Sequence, residues 1–150
     1  MAATFVVDAS VIVEFLVPGR WAAAANRFMS GLAWPIPLEL FAPDLIHLEV
    51  GNALRKLTLS GALPATVTSL LVARMPDLAI ATVGARALVG EAWSLHRQMT
   101  VYDASYAVLA RQLGCPLVTT DERLARACAT AEIAAYEIDD PTLEAILSAF

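Results

Sequence analysis

Thr4-Phe5-Val6-Val7-Asp8-Ala9-Ser10-Val11-Ile12-Val13 changes its pattern at its single charged residue. Thr4 to Val7 is β-branched and aromatic, as in a buried strand, whereas Val11 to Val17 is an apolar segment of helical character that stops at Pro18-Gly19. Asp8-Ala9-Ser10 is the turn between them. The same alternation continues outward. Trp21 to Met29 is an alanine-rich helix, Gly31 to Pro37 a connection, and Leu40 to Ala42 a brief buried strand. Pro43-Asp44 offers a start signal for a helix from Leu45 to Leu59, which Ser60-Gly61 ends. Pro64 opens a helix to Met75, Leu78 to Val83 is a strand, and Ala85 to His96 is helical in composition. Thr100 to Tyr102 lead into Asp103 and a helix through Leu113, capped by Gly114. Pro116 to Thr119 is a strand, Glu122 to Ala129 a helix, Ala135 to Ile138 a last strand, and Asp140-Pro141 starts a C-terminal helix. Short apolar strands alternating with helices predict one α/β domain over residues 1–150, with a central, mostly parallel sheet flanked by helices.

Composition narrows the function. The chain has 150 residues, 58% of them hydrophobic and 17% charged, enough for one sizeable core and incompatible with disorder. Its longest uncharged stretch, Leu57 to Ala73, carries Ser60, Gly61 and Pro64 near its start and does not read as a membrane span. No basic residue precedes Arg20, and Asp8 and Glu14 interrupt the first apolar run, so a secretory signal is not expected and a cytoplasmic location is. Cys115 and Cys128 lack the spacing of a zinc site or a disulfide framework. A net charge of −5 argues against nucleic-acid binding by bulk charge. Any such binding must be local, and nine arginines beside the single lysine, Lys56, suit bidentate phosphate contacts. Trp21, Trp34 and Trp93 read as core or interface anchors.

Four acids stand out by position. In such a sheet, ligands sit beyond the carboxyl ends of the strands, and Asp8 and Asp121 each follow a strand end. Each could face a shared crevice or cap the next helix. Asp103 lies in the first turn of its helix, where the dipole favours an anion, so the same two readings apply. On a helical wheel Ile46, Val50, Ala53, Leu54 and Leu57 form the apolar stripe, and Glu49 falls at its border beside Asn52 and Lys56. An exposed glutamate tethered to Lys56 is the plain alternative there.

Taken together, Val6-Val7-Asp8-Ala9-Ser10, Leu48-Glu49-Val50-Gly51-Asn52-Ala53-Leu54, Val101-Tyr102-Asp103-Ala104-Ser105-Tyr106 and Leu117-Val118-Thr119-Thr120-Asp121-Glu122-Arg123-Leu124 resemble the PIN-domain ribonucleases, nearest the VapC-type toxins of toxin–antitoxin pairs. The resemblance runs from the first strand to the last helix. It implies that Asp8, Glu49, Asp103 and Asp121 line one pocket and hold Mg²⁺ or Mn²⁺, with Ser10 and Thr119 assisting. It also implies an RNA substrate cut to leave a 5′-phosphate, a cognate antitoxin as partner, and the toxin role in a type II pair.

The chemistry suits the residues independently of that name. Carboxylates converging on a crevice repel one another, and a hard divalent cation with oxygen ligands makes the arrangement tolerable. Such an ion activates water and neutralises a phosphodiester, so no protein nucleophile is needed. Arg123 and Arg97, each close in sequence to a candidate ligand, are expected to contact RNA phosphates. Apolar surface on the early helices, around Trp21 to Leu32 and Leu48 to Leu59, is expected to be covered by an antitoxin segment or a second copy in a homodimer. Two other readings compete. One is an α/β phosphohydrolase with Asp8 as nucleophile, which wants a second acid near Asp8 and a late lysine where the chain has Ser10 and only Lys56. The other is a catalytically silent PIN-like interaction module.

Overall fold

Val6, Val7, Leu117 and Val118 have no exposed surface, because their two short strands lie side by side in the middle of one sheet. The computed structural model describes residues 1–150. Its first half runs β1 (Ala3–Val7), α1 (Ala9–Leu16), α2 (Ala22–Ser30), β2 (Leu38–Pro43), α3 (Ile46–Leu59) and α4 (Ala65–Arg74). The second half runs β3 (Ile80–Val83), α5 (Ala85–Trp93), α6 (Val101–Leu113), β4 (Leu117–Thr119), α7 (Glu122–Thr130), β5 (Ala135–Glu137) and α8 (Pro141–Ser148). All strands are parallel, in the order β3-β2-β1-β4-β5. The expected α/β fold is therefore present, with a sheet that is wholly parallel.

That order places the site. The chain builds the sheet from β1 to one side through β2 and β3, then returns to pair β4 with the other side of β1. The strand order reverses at β1/β4, and in open parallel sheets the crevice beyond such a reversal is where ligands bind. Asp8 leaves β1 there and Asp121 follows β4 there. A buried helix delivers the third acid. Residues Ala104 to Ala110 of α6 are all buried against β1, β2, β4 and α5, because small side chains at Ala104, Ser105, Ala107 and Ala110 let the helix lie close to its neighbours. A helix buried on every side cannot roll, so Asp103 in its first turn is held at a set position. Gly114, in the left-handed region at φ 63°, ends α6 and turns the chain into β4.

Several local expectations shift. The strand foreseen at Leu40 to Ala42 extends over Leu38–Pro43, because pairing with both β1 and β3 stabilises its ends. Asp44 does not cap α3; its Oδ1 accepts the Ala85 N–H at 3.1 Å and so caps α5, 41 residues further on. Both cysteines are free and buried. Trp21 and Trp34 are half-buried against the core, but Trp93 is not an anchor within this chain: it is 62% exposed and stacked on His96. No helix is long and apolar enough to cross a membrane.

Leu54, fully buried on α3, and Leu48, exposed on the same helix, test where the core ends. Leu54→Ala should lower the unfolding free energy in urea by about 2–5 kcal/mol. Leu48→Ala should change it by less than about 0.5 kcal/mol.

Candidate active site

Asp8 is a buried carboxylate at the N-cap position of α1, yet its side chain makes no capping hydrogen bond to that helix. The capping alternative fails for it. Its Oδ2 instead accepts two hydroxyls, from Ser10 at 2.6 Å and from Thr119 at 2.8 Å. Each hydroxyl oxygen in turn accepts a backbone N–H of the β4–α7 turn: Thr120 N donates to Ser10 Oγ at 3.0 Å and Asp121 N to Thr119 Oγ1 at 3.0 Å. Ser10 and Thr119, expected only as helpers, are thus fully engaged as the clamp between the two strand ends.

Asp121 follows that clamp and does cap a helix. Its Oδ1 accepts Arg123 N at 2.9 Å and Leu124 N at 3.3 Å, the free N–H groups of α7. Capping and a role in the crevice do not exclude each other here, because Oδ2 remains, 3.7 Å from the Arg123 guanidinium. The same guanidinium lies 3.9 Å from Asp103 Oδ2, so one exposed cation loosely bridges two of the acids. Thr100 is the N-cap of α6 and accepts the Asp103 N–H at 3.1 Å, which leaves the Asp103 carboxylate out of the capping role.

Glu49 departs from its plain reading. It is half-buried and makes no ion pair with Lys56; its Oε1 accepts the phenol O–H of Tyr106 at 2.9 Å. Tyr106 is fully buried on α6, one turn beyond Asp103, so the helix that presents Asp103 also fixes Glu49. Tyr106 and Thr100 were not singled out from sequence. The spacing Asp103-Ala104-Ser105-Tyr106 was the available signal, since residues three apart share a helix face.

The electrostatics record the convergence. Burial raises the Asp8 carboxyl above its ordinary range; the two hydroxyls oppose this and the Asp103 charge adds to it. Glu49 is raised by burial, against the Tyr106 hydrogen bond, with Asp8 and Asp103 adding. Asp103 is raised by burial, against Thr100 and Arg123, with Asp121 adding. Tyr106 is held neutral, with its O–H kept for donation to Glu49, by burial and by the carboxylates around it. Asp8, Glu49 and Asp103 therefore each feel at least one other carboxylate. Asp8, Glu49 and Asp103 act on one another near the reversal of the sheet, Asp121 stands with Asp103 about Arg123, and the PIN domain family model matches residues 5–129. The chain belongs to the PIN domain family.

Within that family the chain is 33% identical to Ribonuclease VapC3 of Mycobacterium tuberculosis over 122 residues, 81% of this chain and 85% of that protein. Its fold matches the crystal structure of PAE2754 from Pyrobaculum aerophilum over the whole of both chains, with a TM-score of 0.68 and 26% identity. It also matches a chain in the crystal structure of VapBC2 from Rickettsia felis bound to a promoter DNA fragment, with a TM-score of 0.61 over 89% of this chain and 98% of that one. At 10% identity the last likeness is one of fold.

The donor set of this PIN domain fits a hard cation, being oxygen only and carrying several negative charges that lack enough counter-charge. No three metal-binding side chains stand close enough to cage an ion by themselves. Mg²⁺ is suited to such a site, because it keeps several waters and binds through one or two carboxylates. Arg123 is brought to the acids, whereas Arg97 is exposed before α6 and touches none of them.

A raised carboxyl binds its proton more tightly folded than unfolded, so its contribution to stability is full below the ordinary carboxylate pKa of about 4 and is lost as pH rises through the folded value. Asp103→Asn removes one such group. In EDTA the unfolding free energy of the variant should gain on wild type as pH rises from about 4, read from urea melts at successive pH values. A variant that instead loses ground with rising pH would mean that Asp103 acts as an ordinary helix-terminus anion.

Proposed function

We propose that this PIN domain is a Mg²⁺-dependent endoribonuclease, the toxin of a type II toxin–antitoxin pair, with Mn²⁺ able to replace Mg²⁺. Asp8, Glu49 and Asp103 acting on one another near the β1/β4 reversal, with Asp121 beside Asp103 about Arg123, carry this reading, because that much like charge in a half-buried crevice is tolerable with a divalent cation present. The likeness to Ribonuclease VapC3 supports RNA as the substrate. In this reading Asp8, Asp103 and Asp121 would hold the ion, one or two of them directly and the rest through its waters, and Glu49 would hold it or orient a water. Bound there, Mg²⁺ supplies charge neutralisation for the phosphodiester and a water of lowered pKa.

The protein groups divide the rest of the work. Ser10 and Thr119 keep Asp8 in one orientation, Tyr106 does the same for Glu49, and Arg123, 78% exposed along its side chain, reaches out to an RNA phosphate. A phosphohydrolase with Asp8 as nucleophile is less compatible, since Ser10 stands where a second acid is wanted and the only lysine, Lys56, is not late in the chain. An antitoxin is the expected partner, supported by the shared fold of VapBC2. Leu32 beyond α2, Leu48 and Leu59 on α3, and Val67 and Leu70 on α4 leave apolar surface for that partner or for the second copy of a homodimer. The cell interior is the expected location.

Two experiments test the reading. RNA cleavage should require Mg²⁺ or Mn²⁺, stop in EDTA and be abolished by Asp8→Asn; full cleavage by the Asp8→Asn protein at saturating Mg²⁺ would refute it. Mg²⁺ at a hundredfold excess over Kd should also stabilise wild type by about 2.7 kcal/mol, and Asp103→Asn by much less. Arg123→Ala should weaken RNA binding and reduce its salt slope by about 1, without weakening Mg²⁺ binding, since it removes a cation beside two ligands.

A further inference from the structure

Hydrolysis of a phosphodiester by water makes no use of a 2′-hydroxyl, so the chemistry alone would cut RNA and DNA alike. A preference for RNA has to come from a side chain that touches the ribose, whose 2′-hydroxyl both donates and accepts. A phosphate contact such as that of Arg123 is the same in both nucleic acids and cannot select. Most polar side chains around the acids are already spent. Ser10 and Thr119 each donate to Asp8 and accept a backbone N–H, and the Tyr106 O–H goes to Glu49. Asn52, one turn from Glu49 on α3, lines a different cavity with His47, Leu48 and Arg55.

One group of polar side chains beside Asp103 is not spent. Gln98, Thr100, Asp103 and Arg123, with apolar lining from Met99 and Leu124, surround a cavity of about 40 Å³. A water-sized group needs roughly 10–15 Å³ of such space, so the cavity admits a hydroxyl or a phosphate oxygen and is too small for a nucleobase. Its lining favours the hydroxyl. A phosphate oxygen only accepts hydrogen bonds and meets the Asp103 carboxylate, whereas a hydroxyl can donate to the Gln98 carbonyl oxygen and accept from its N–H or from the Thr100 O–H. Gln98 is exposed, and its side-chain amide has no hydrogen-bond partner in the chain. Its backbone is fixed, since Gln98 N and Met99 N donate to O of the buried Leu95 at 2.9 and 3.1 Å. Thr100 Oγ1 accepts the Asp103 N–H at 3.1 Å, which leaves its own O–H to donate.

We propose that Gln98, aided by the Thr100 hydroxyl, binds the ribose 2′-hydroxyl beside the scissile phosphate and so makes RNA the preferred substrate over DNA of the same sequence. The assignment rests on the ribonuclease reading and adds to it the choice of sugar. The 2′-oxygen sits on the carbon next to the one that carries the 3′-phosphate. A phosphate held at Arg123 therefore brings that hydroxyl to the cavity that Arg123 and Gln98 share. Gln98 touches the sugar and not the reacting phosphorus, so it sets specificity and takes no part in the bond cleavage.

The probe is a fluorescein-labelled pool of short random-sequence single strands, made once as RNA and once as DNA with uracil in place of thymine, so that only the sugar differs. Binding is read by anisotropy with Ca²⁺ as the hard cation, and cleavage of the same pools in Mg²⁺. Wild type should bind the RNA about fivefold more tightly than the DNA, the scale of one net hydrogen bond. Gln98→Ala should bring RNA affinity down to that for DNA while DNA affinity stays as in wild type. Gln98→Glu, which loses the N–H donors and adds charge beside Asp103, should do no better. RNA methylated at the 2′-oxygens should bind wild type no better than DNA does. Mg²⁺ stabilisation in thermal melts should be the same in Gln98→Ala as in wild type, which separates a lost sugar contact from a damaged metal site. Wild type that binds RNA no more tightly than DNA, or a preference that survives Gln98→Ala, would overturn the assignment. Loss of the preference in Thr120→Val instead would place the contact at Thr120, whose hydroxyl is also uncommitted but lies outside the cavity. A wild type that gains stability from Mg²⁺ but neither binds nor cuts either pool would overturn the ribonuclease reading as well. Failure of the sugar contact alone is distinct, because wild type then binds and cuts both sugars alike.

Discussion

One carboxylate oxygen ties the centre of this molecule together. Asp8 Oδ2 accepts the hydroxyls of Ser10 and Thr119, and those two oxygens accept the N–H groups of Thr120 and Asp121. The end of β1, the start of α1 and the turn leaving β4 are therefore joined through a single buried carboxylate oxygen. Hydrogen bonds to an ionised acceptor are about twice as strong as neutral ones, and burial strengthens them further. The same bonds leave neither hydroxyl an unfilled donor. The position of Asp121, and through its cap the start of α7, follows from this arrangement.

The arrangement carries an internal conflict. Burial and like charge push Asp8, Glu49 and Asp103 upward together, and the side chains that oppose the rise are mostly hydroxyls, those of Ser10, Thr119, Tyr106 and Thr100, with Arg123 as the only cation. A core placed for stability alone would have filled this region with apolar side chains. Retaining several acids where few cations reach them is the expected signature of a site whose stabilising partner comes from outside the chain. α6 concentrates the conflict, since it delivers Asp103 and Tyr106 on one face while burying its middle against three strands. Its small residues keep the helix close to the sheet, and the acids inherit that fixed geometry.

Much of the fold was legible because local patterns encode it. The change of pattern at Asp8 marked a strand passing into a helix, and Gly114 marked the end of α6 because its φ of 63° suits glycine. Asp8 and Asp121 were legible as candidates because a parallel sheet exposes its strand ends to one crevice. Other features ran against local signals. Asp44 looked like the cap of the helix beginning two residues later and instead caps α5, because β2 and β3 lie side by side and bring the end of one against the start of the helix that follows the other. Glu49 looked like a solvated glutamate beside Lys56, since a wheel places a residue relative to its own stripe and says nothing of what packs there.

The sequence by itself determined the order of strands and helices, the single-domain scale, and the placement of Asp8, Asp103 and Asp121 at element ends, because each depends on residues a few positions apart. Only the tertiary structure decided that Tyr106 holds Glu49 across 57 residues, that Arg123 stands between Asp103 and Asp121, and that Trp93 lies open on His96. Periodicity reports which face of an element is apolar. Which distant surface meets that face is set by the order in which strands join the sheet, and at β1/β4 that order reverses.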